Sequence, residues 1–243
     1  MIDETYAAFQ GWDHSISRTA NLRRFREHNP TGATSDSWLL QTTKALNRRF
    51  DPSGRDRPLV DLARSGCDRE IWKPLLLWHM TRDEFLVRDF LVHWLYPRYR
   101  EGAYRLRRDD LVPYLEDLRK RRDVQWSGNW SATTMPRVAQ ALLRIAVDFG
   151  LLSGRIVREF ASYHLPDESM IYLLHAMAES EGNAERIVHS PDWRMFLMAP
   201  EEVEHELLRL HQFHSLHYQV AGSLAQLALP FATVTEYARE IAR

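Results

Sequence analysis

Apolar residues recur at spacings of three and four along almost the whole chain, and strict alternation of apolar and polar positions is scarce. That rhythm restricts the protein to an all-α fold, a helical bundle in which each helix buries one stripe. Arg18 to His28 reads as a helix stopped by Asn29-Pro30-Thr31-Gly32. Thr34 or Ser35 caps the next helix, which runs to Phe50 and stops at Asp51-Pro52-Ser53-Gly54. Asp68 to His79 follows, starting late or kinked at Pro74. Thr81 and Glu84 have capping-box spacing for a helix that Pro97 ends.

Asp109 to Arg122 is acidic at its start and basic at its end, as the helix dipole favours. Thr134 and Pro136 open a long helix closed by Gly150. Ser153 to Tyr163 reads as a short helix. Pro166 to Ser180, Ala184 to His189 and Pro200 to Phe213 follow, and Thr233 with Glu236 caps the last helix. Tyr218 to Leu229, with Gly222 mid-run, fits either a helix or one short β-hairpin. At 243 residues the chain fits one large or two small domains. Asp51 to Arg57 is the expected linker, giving a small N-terminal helical unit over 1–56 and a helical body over 57–243. Asp123 to Ala132 is a second candidate break.

The formal net charge of −1 argues against a generic polyanion binder, but the balance is uneven. Residues 1–150 hold 25 Lys+Arg against 20 Asp+Glu, and residues 151–243 hold 7 against 13. A basic working half and an acidic half suited to other contacts are the expectation. Only Lys44, Lys73 and Lys120 are lysines; arginine, the rest of the basic set, is the better fork for phosphate. The single cysteine, Cys67, excludes an internal disulfide and a cysteine-based zinc site. The start of the chain lacks the order of a signal peptide, and no apolar run approaches a membrane span, so a cytoplasmic protein with no membrane contact is expected.

Phosphate-loop, dinucleotide-binding, nucleophile-elbow and His-Glu-x-x-His motifs are all absent, so no catalytic residue and no cofactor is assigned. His205, His211, His214 and His217 lie near Glu201, Glu202, Glu204 and Glu206. His211 and His214 would share a helix face, but the spacing drifts at His217 and no metal site is assigned. Arg82-Asp83 and Arg88-Asp89 repeat six residues apart, off a common face, which favours helix-fixing ion pairs over an acid–base pair.

Two basic clusters are the candidate DNA contacts. One comprises Arg18, Arg23, Arg24 and Arg26, then Lys44, Arg48 and Arg49, on two helices with roughly helix-turn-helix proportions. The other comprises Arg98, Arg100, Arg105, Arg107, Arg108, Arg119, Lys120, Arg121 and Arg122, interleaved with Tyr96, Tyr99 and Tyr104. Arginine among tyrosines suits phosphate contact with stacking. Paired with neighbouring carboxylates, the same residues would make an ordinary solvated face. Trp72, Trp78, Trp94, Trp126, Trp130 and Trp193 are expected as core or interface anchors.

The run Trp78 to Arg82-Asp83, Leu86 to Phe90, Leu95-Tyr96-Pro97-Arg98-Tyr99, Trp126-Ser127 and Arg137 to Asp148-Phe149-Gly150-Leu151-Leu152 resembles the BrxA family of bacterial BREX phage-exclusion systems. Trp193-Arg194-Met195-Phe196-Leu197 and the segments Ala221-Gly222 to Leu229-Pro230 and Glu236-Tyr237 fit as well. The resemblance implies a NusB-like helical accessory protein that binds double-stranded DNA and acts beside other BREX proteins, with no catalytic residues to carry over. Two alternatives stand beside it: an adaptor that docks other defence proteins without touching DNA, and a small metal-dependent hydrolase using the His/Glu cluster.

Overall fold

The computed structural model describes residues 2–121, 131, 133–222 and 224–243. They are mostly helical, with two small two-stranded antiparallel sheets. The chain divides into two compact units. Met1–Phe85, Leu165–Trp193 and Met198–Arg243 form the first; Leu86–His164 and Arg194–Leu197 form the second. The expected linker at Asp51–Arg57 lies inside the first unit.

The first unit begins with α1 (Ile2–Gln10), ahead of the first helix expected from the sequence. Next come α2 (Arg18–His28) and α3 (Asp36–Arg49), packed on each other. Ser17 caps α2 by accepting the Ala20 N–H, and Asn29 closes it in the left-handed region. The Asn29 side chain holds both the N–H and the carbonyl of Ala33, so the Asn-Pro-Thr-Gly stop works through its asparagine. Ser35, rather than Thr34, caps α3. Helix α4 (Arg57–Ser65) follows and packs against α1.

Helix α5 (Arg69–Thr81) is capped by Asp68 and runs through Pro74. The Trp72 indole N–H donates to the Leu59 carbonyl at 3.0 Å, and Tyr6 and Phe9 meet its ring edge-on. Thr81 closes α5, its hydroxyl donating to the Trp78 carbonyl. The expected Thr81–Glu84 capping box is therefore not formed, because the helix Thr81 was to open starts four residues later.

That helix, α6 (Phe85–Asp89), passes into a π-turn (Phe90–Leu95) and on into α7 (Tyr96–Arg100). Pro97 therefore does not end the helix, contrary to the sequence expectation. The Tyr96 N–H bonds the Leu91 carbonyl five residues back, and this widened turn gives room for a proline ring that would clash in a regular helix. In the second unit α8 (Arg108–Lys120) packs on α9 (Met135–Asp148).

Instead of the short helix expected from Ser153 to Tyr163, β1 (Leu152–Ser153) and β2 (Glu159–Phe160) form a hairpin. Gly154 explains the correction: at φ +95° it turns the chain where a helix would need φ near −60°. Leu106 bridges Arg158 as a third, single-residue strand.

The chain returns to the first unit with α10 (Asp167–Glu181), closed by Gly182, and α11 (Ala184–Val188), capped by Asn183. A 3-10 turn (Pro191–Phe196), α12 (Pro200–Gln212) and a hairpin of β3 (His217–Ala221) with β4 (Leu224–Ala228) come next. The hairpin alternative for Tyr218 to Leu229 is thus the one adopted. Thr233 accepts the Glu236 N–H to start α13 (Val234–Ile241), as its spacing predicts. Trp72, Trp78, Trp94 and Trp193 are all buried; Trp126 and Trp130 lie outside the described residues. Among the described residues no helix is long and apolar enough to cross a membrane.

Candidate nucleic-acid interface

The tertiary division sorts charge more sharply than the halves of the sequence do. The second unit carries 15 Lys+Arg against 9 Asp+Glu, a net of +6 over 83 residues. The first carries 17 against 24, a net of −7. Each basic cluster falls wholly within one unit.

In the second unit the pairs are short-range. Arg98 reaches Glu101 at 3.1 Å, Arg108 reaches Asp109 at 2.9 Å and Lys120 reaches Asp117 at 2.9 Å. All six of these side chains are exposed, so each pair is worth about 0–1 kcal/mol and leaves its cation able to exchange a carboxylate for a phosphate. Arg100, Arg105, Arg107 and Arg119 are exposed as well. Arg121 differs: its guanidinium lies 3.3 Å from buried Asp89, which also accepts the Tyr114 hydroxyl. This ties α6 to α8. Burial, then the Asp89 carboxylate, holds the Tyr114 phenol far above its ordinary pKa. Arg122 lies outside the described residues.

The first cluster is largely occupied. Arg18 donates to the Asn47 and Phe50 carbonyls, closing α3 from outside, and Arg24 donates to the Gly11 carbonyl. Arg48 and Arg49 converge on Glu84 at 2.7 and 2.8 Å. Burial would raise the Glu84 carboxyl, but its bonds from Arg49 and Arg48 outweigh that and hold its pKa below the ordinary value. Arg23 and Arg26 remain exposed, around a hollow of about 230 Å³ shared with Glu27, Asp36 and Leu39. Lys44 is exposed on α3.

Of the two aspartates in the repeated Arg-Asp pairs, Asp89 fixes one helix against another, whereas Asp83 joins two turns. Asp83 pairs with Arg55 and Asp89 with Arg121. The Arg82 guanidinium sits 4.8 Å over the Trp78 ring.

The hairpin of β1 and β2 is a feature that sequence patterning missed. Its turn exposes Arg155 and Ile156, and the bridging strand beside it exposes Tyr104, Arg105 and Arg107. Arg158 is 2% exposed, and its Nε and Nη1 have no hydrogen-bond partner among the described residues. Burial lowers its pKa from the ordinary arginine value.

The other chemically suggestive groups lie in the first unit. Buried Asp56, His79 and Tyr172 form a chain, with 2.7 Å from Asp56 to His79 Nδ1 and 2.9 Å from His79 Nε2 to the Tyr172 hydroxyl. The order resembles a catalytic relay, but all three side chains are sealed from solvent. Burial pushes the lone thiol of Cys67 up to about 11, which makes it a poor nucleophile at neutral pH. His214 lies beyond the end of α12 at φ +60°, so it does not share a helix face with His211. His217 opens β3, and its ring meets that of His211 edge-on at 4.9 Å. Among the described residues no group of three or more His, Cys, Asp or Glu side chains could hold a metal ion.

No curated protein and no solved structure matches this chain. The sequence model of the BrxA family matches residues 1–176, which takes in the whole second basic cluster and the β1–β2 hairpin. That span is well over half the chain and reaches upstream of the motifs that suggested it. The chain belongs to the BrxA family, whose membership implies a component of a BREX phage-defence system.

Proposed function

We propose that this chain is a non-catalytic, duplex-DNA-binding accessory component of its BREX system, contacting DNA mainly through arginine–phosphate pairs. The observation that carries the reading is the gathering of a net +6 into one 83-residue unit whose arginines are mostly exposed. Arg98, Arg100, Arg105, Arg107, Arg108, Arg119 and Lys120 are the favoured contacts. Arg23 and Arg26 are secondary, because the unit that holds them is acidic. Paired surface cations lose little on trading a carboxylate for a phosphate, and releasing counterions from DNA supplies the driving force.

A gel shift with purified full-length chain tests this. Six or more phosphate contacts predict an affinity loss of about 10³ or more between 50 and 200 mM salt. Charge reversal at Arg107, Arg119 and Lys120 is expected to abolish the shift, and reversal at Arg23 and Arg26 to weaken it less. Salt-independent affinity, or none at micromolar protein, refutes the proposal.

A second reading, a docking adaptor, is favoured by the acidic first unit, which exposes Leu208, Phe213 and Val220. It expects a BREX partner to co-purify after nuclease treatment and to be lost on Leu208→Asp with Phe213→Asp.

A further inference from the structure

The hairpin of β1 and β2 is built to present its tip rigidly. Gly154 turns at φ +95°, and a Cβ there would run into the Val157 carbonyl oxygen, so the turn has little freedom. Leu106 pairs with Arg158 through two backbone hydrogen bonds of 2.8 and 2.9 Å. Behind the tip the Phe160 ring packs on Tyr99 at 5.2 Å. On this base Ile156 is 83% exposed, next to exposed Arg155. Held out in water on a rigid turn, this aliphatic group contributes no burial to the fold.

The surroundings set the kind of partner. Tyr104, 68% exposed, and Arg105 and Arg107 flank the tip. Glu159 lies 3.9 Å from Arg105, both exposed enough to be weakly coupled. Beneath them Arg158 is a buried cation with no ion pair among the described residues, and a charge in low dielectric projects its field outward. An apolar point in a positive collar matches a polyanion with an apolar interior. The turn, Gly-Arg-Ile-Val-Arg, offers base edges one exposed arginine, a group used in either groove, so its aliphatic neighbour decides between them. A lone arginine beside an aliphatic wedge suits the minor groove, where potential is most negative and base steps can be pried apart.

We infer that this hairpin is a wing that enters the minor groove of duplex DNA, with Arg155 in the groove, Ile156 wedged at a base step, and Arg105 and Arg107 on the flanking phosphates. The inference rests on the DNA-binding reading and adds which element enters which groove.

Fluorescence anisotropy of full-length protein on matched A·T-rich and G·C-rich duplexes tests it, with Arg155→Ala and Ile156→Ser. Both side chains are exposed, and unchanged circular dichroism and melting temperature confirm that the fold is kept. Wild type is expected to prefer the A·T-rich duplex and to be displaced by netropsin, a minor-groove ligand. Each variant is expected to weaken A·T-rich binding about tenfold, the loss of one groove contact, and to erase the preference. If both variants bind like wild type while reversal at Arg107, Arg119 and Lys120 abolishes binding, the wing is refuted and the DNA reading survives. If wild type binds neither duplex at low salt, both fall. Binding to anionic lipid vesicles in place of DNA also overturns the wing.

Discussion

At the residue scale, two buried histidines are expected to make the fold sensitive to acid. His175 stacks on Tyr237 at 5.1 Å, and burial, opposed by the Glu236 carboxylate, pushes its pKa down to about 4. Unfolded, it would titrate near the ordinary value of 6.5. Between those values the unfolded chain holds a proton that the folded chain does not. The stability from keeping His175 neutral is therefore complete above pH 6.5 and is lost progressively as pH falls toward 4. Burial lowers the His79 pKa as well, which acts in the same sense. His175→Phe is expected to flatten the decline, measured by urea unfolding at pH 7 and pH 5.

The buried relay carries its own expectation: His79→Ala strips Asp56 of its imidazole partner and costs about 3–5 kcal/mol. Arg158 points the other way, because it is a buried cation without an ion pair among the described residues, which is a cost to the fold. Arg158→Met is expected to raise the melting temperature by roughly 2–8 °C. Neither result was legible in the sequence, which shows Asp56, His79 and Tyr172 far apart and Arg158 as one arginine among many.

At the scale of elements, punctuation residues carried most of the information. Asn29, Ser35, Asp68, Gly66 and Thr233 stop or start helices as their chemistry requires. Local rules failed where tertiary contacts compete with them. Pro97 was absorbed by a π-turn, Thr81 closed a helix instead of opening one, and Glu84 took two arginines from α3. The missed hairpin depends on Gly154, whose role shows only once the chain turns back on Leu106. Gly154→Ala is expected to cost about 1–3 kcal/mol of stability, the strain of a left-handed non-glycine turn plus its clash, read by thermal unfolding. Asp89→Ala should loosen α8 from α6, leave the Tyr114 hydroxyl without its acceptor and cost about 2–4 kcal/mol.

At the scale of the whole molecule, charge is a property of the units rather than of the sequence halves. Cutting the chain at residue 150 gives +5 and −6; the compact units give +6 and −7 and reassign 1–85 to the acidic side. The two sequence-level clusters thus part company, with the first inside an acidic unit and the second dominating a basic one. A salt titration of DNA binding is expected to change slope by about one for each second-unit phosphate contact removed.

The sequence by itself determined the helical class, most helix ends, the absence of known catalytic motifs and the BrxA resemblance, because periodicity, capping and motif spacing are local in the chain. Only the tertiary structure decided which arginines are occupied by carbonyls and carboxylates, where the buried His79 relay closes, and that a rigid tip exposes Arg155 and Ile156. The partners of Arg18, Arg48 and Arg49, the His79 relay and the hairpin bridge depend on pairings between residues from about 20 to more than 90 positions apart, which no local pattern encodes.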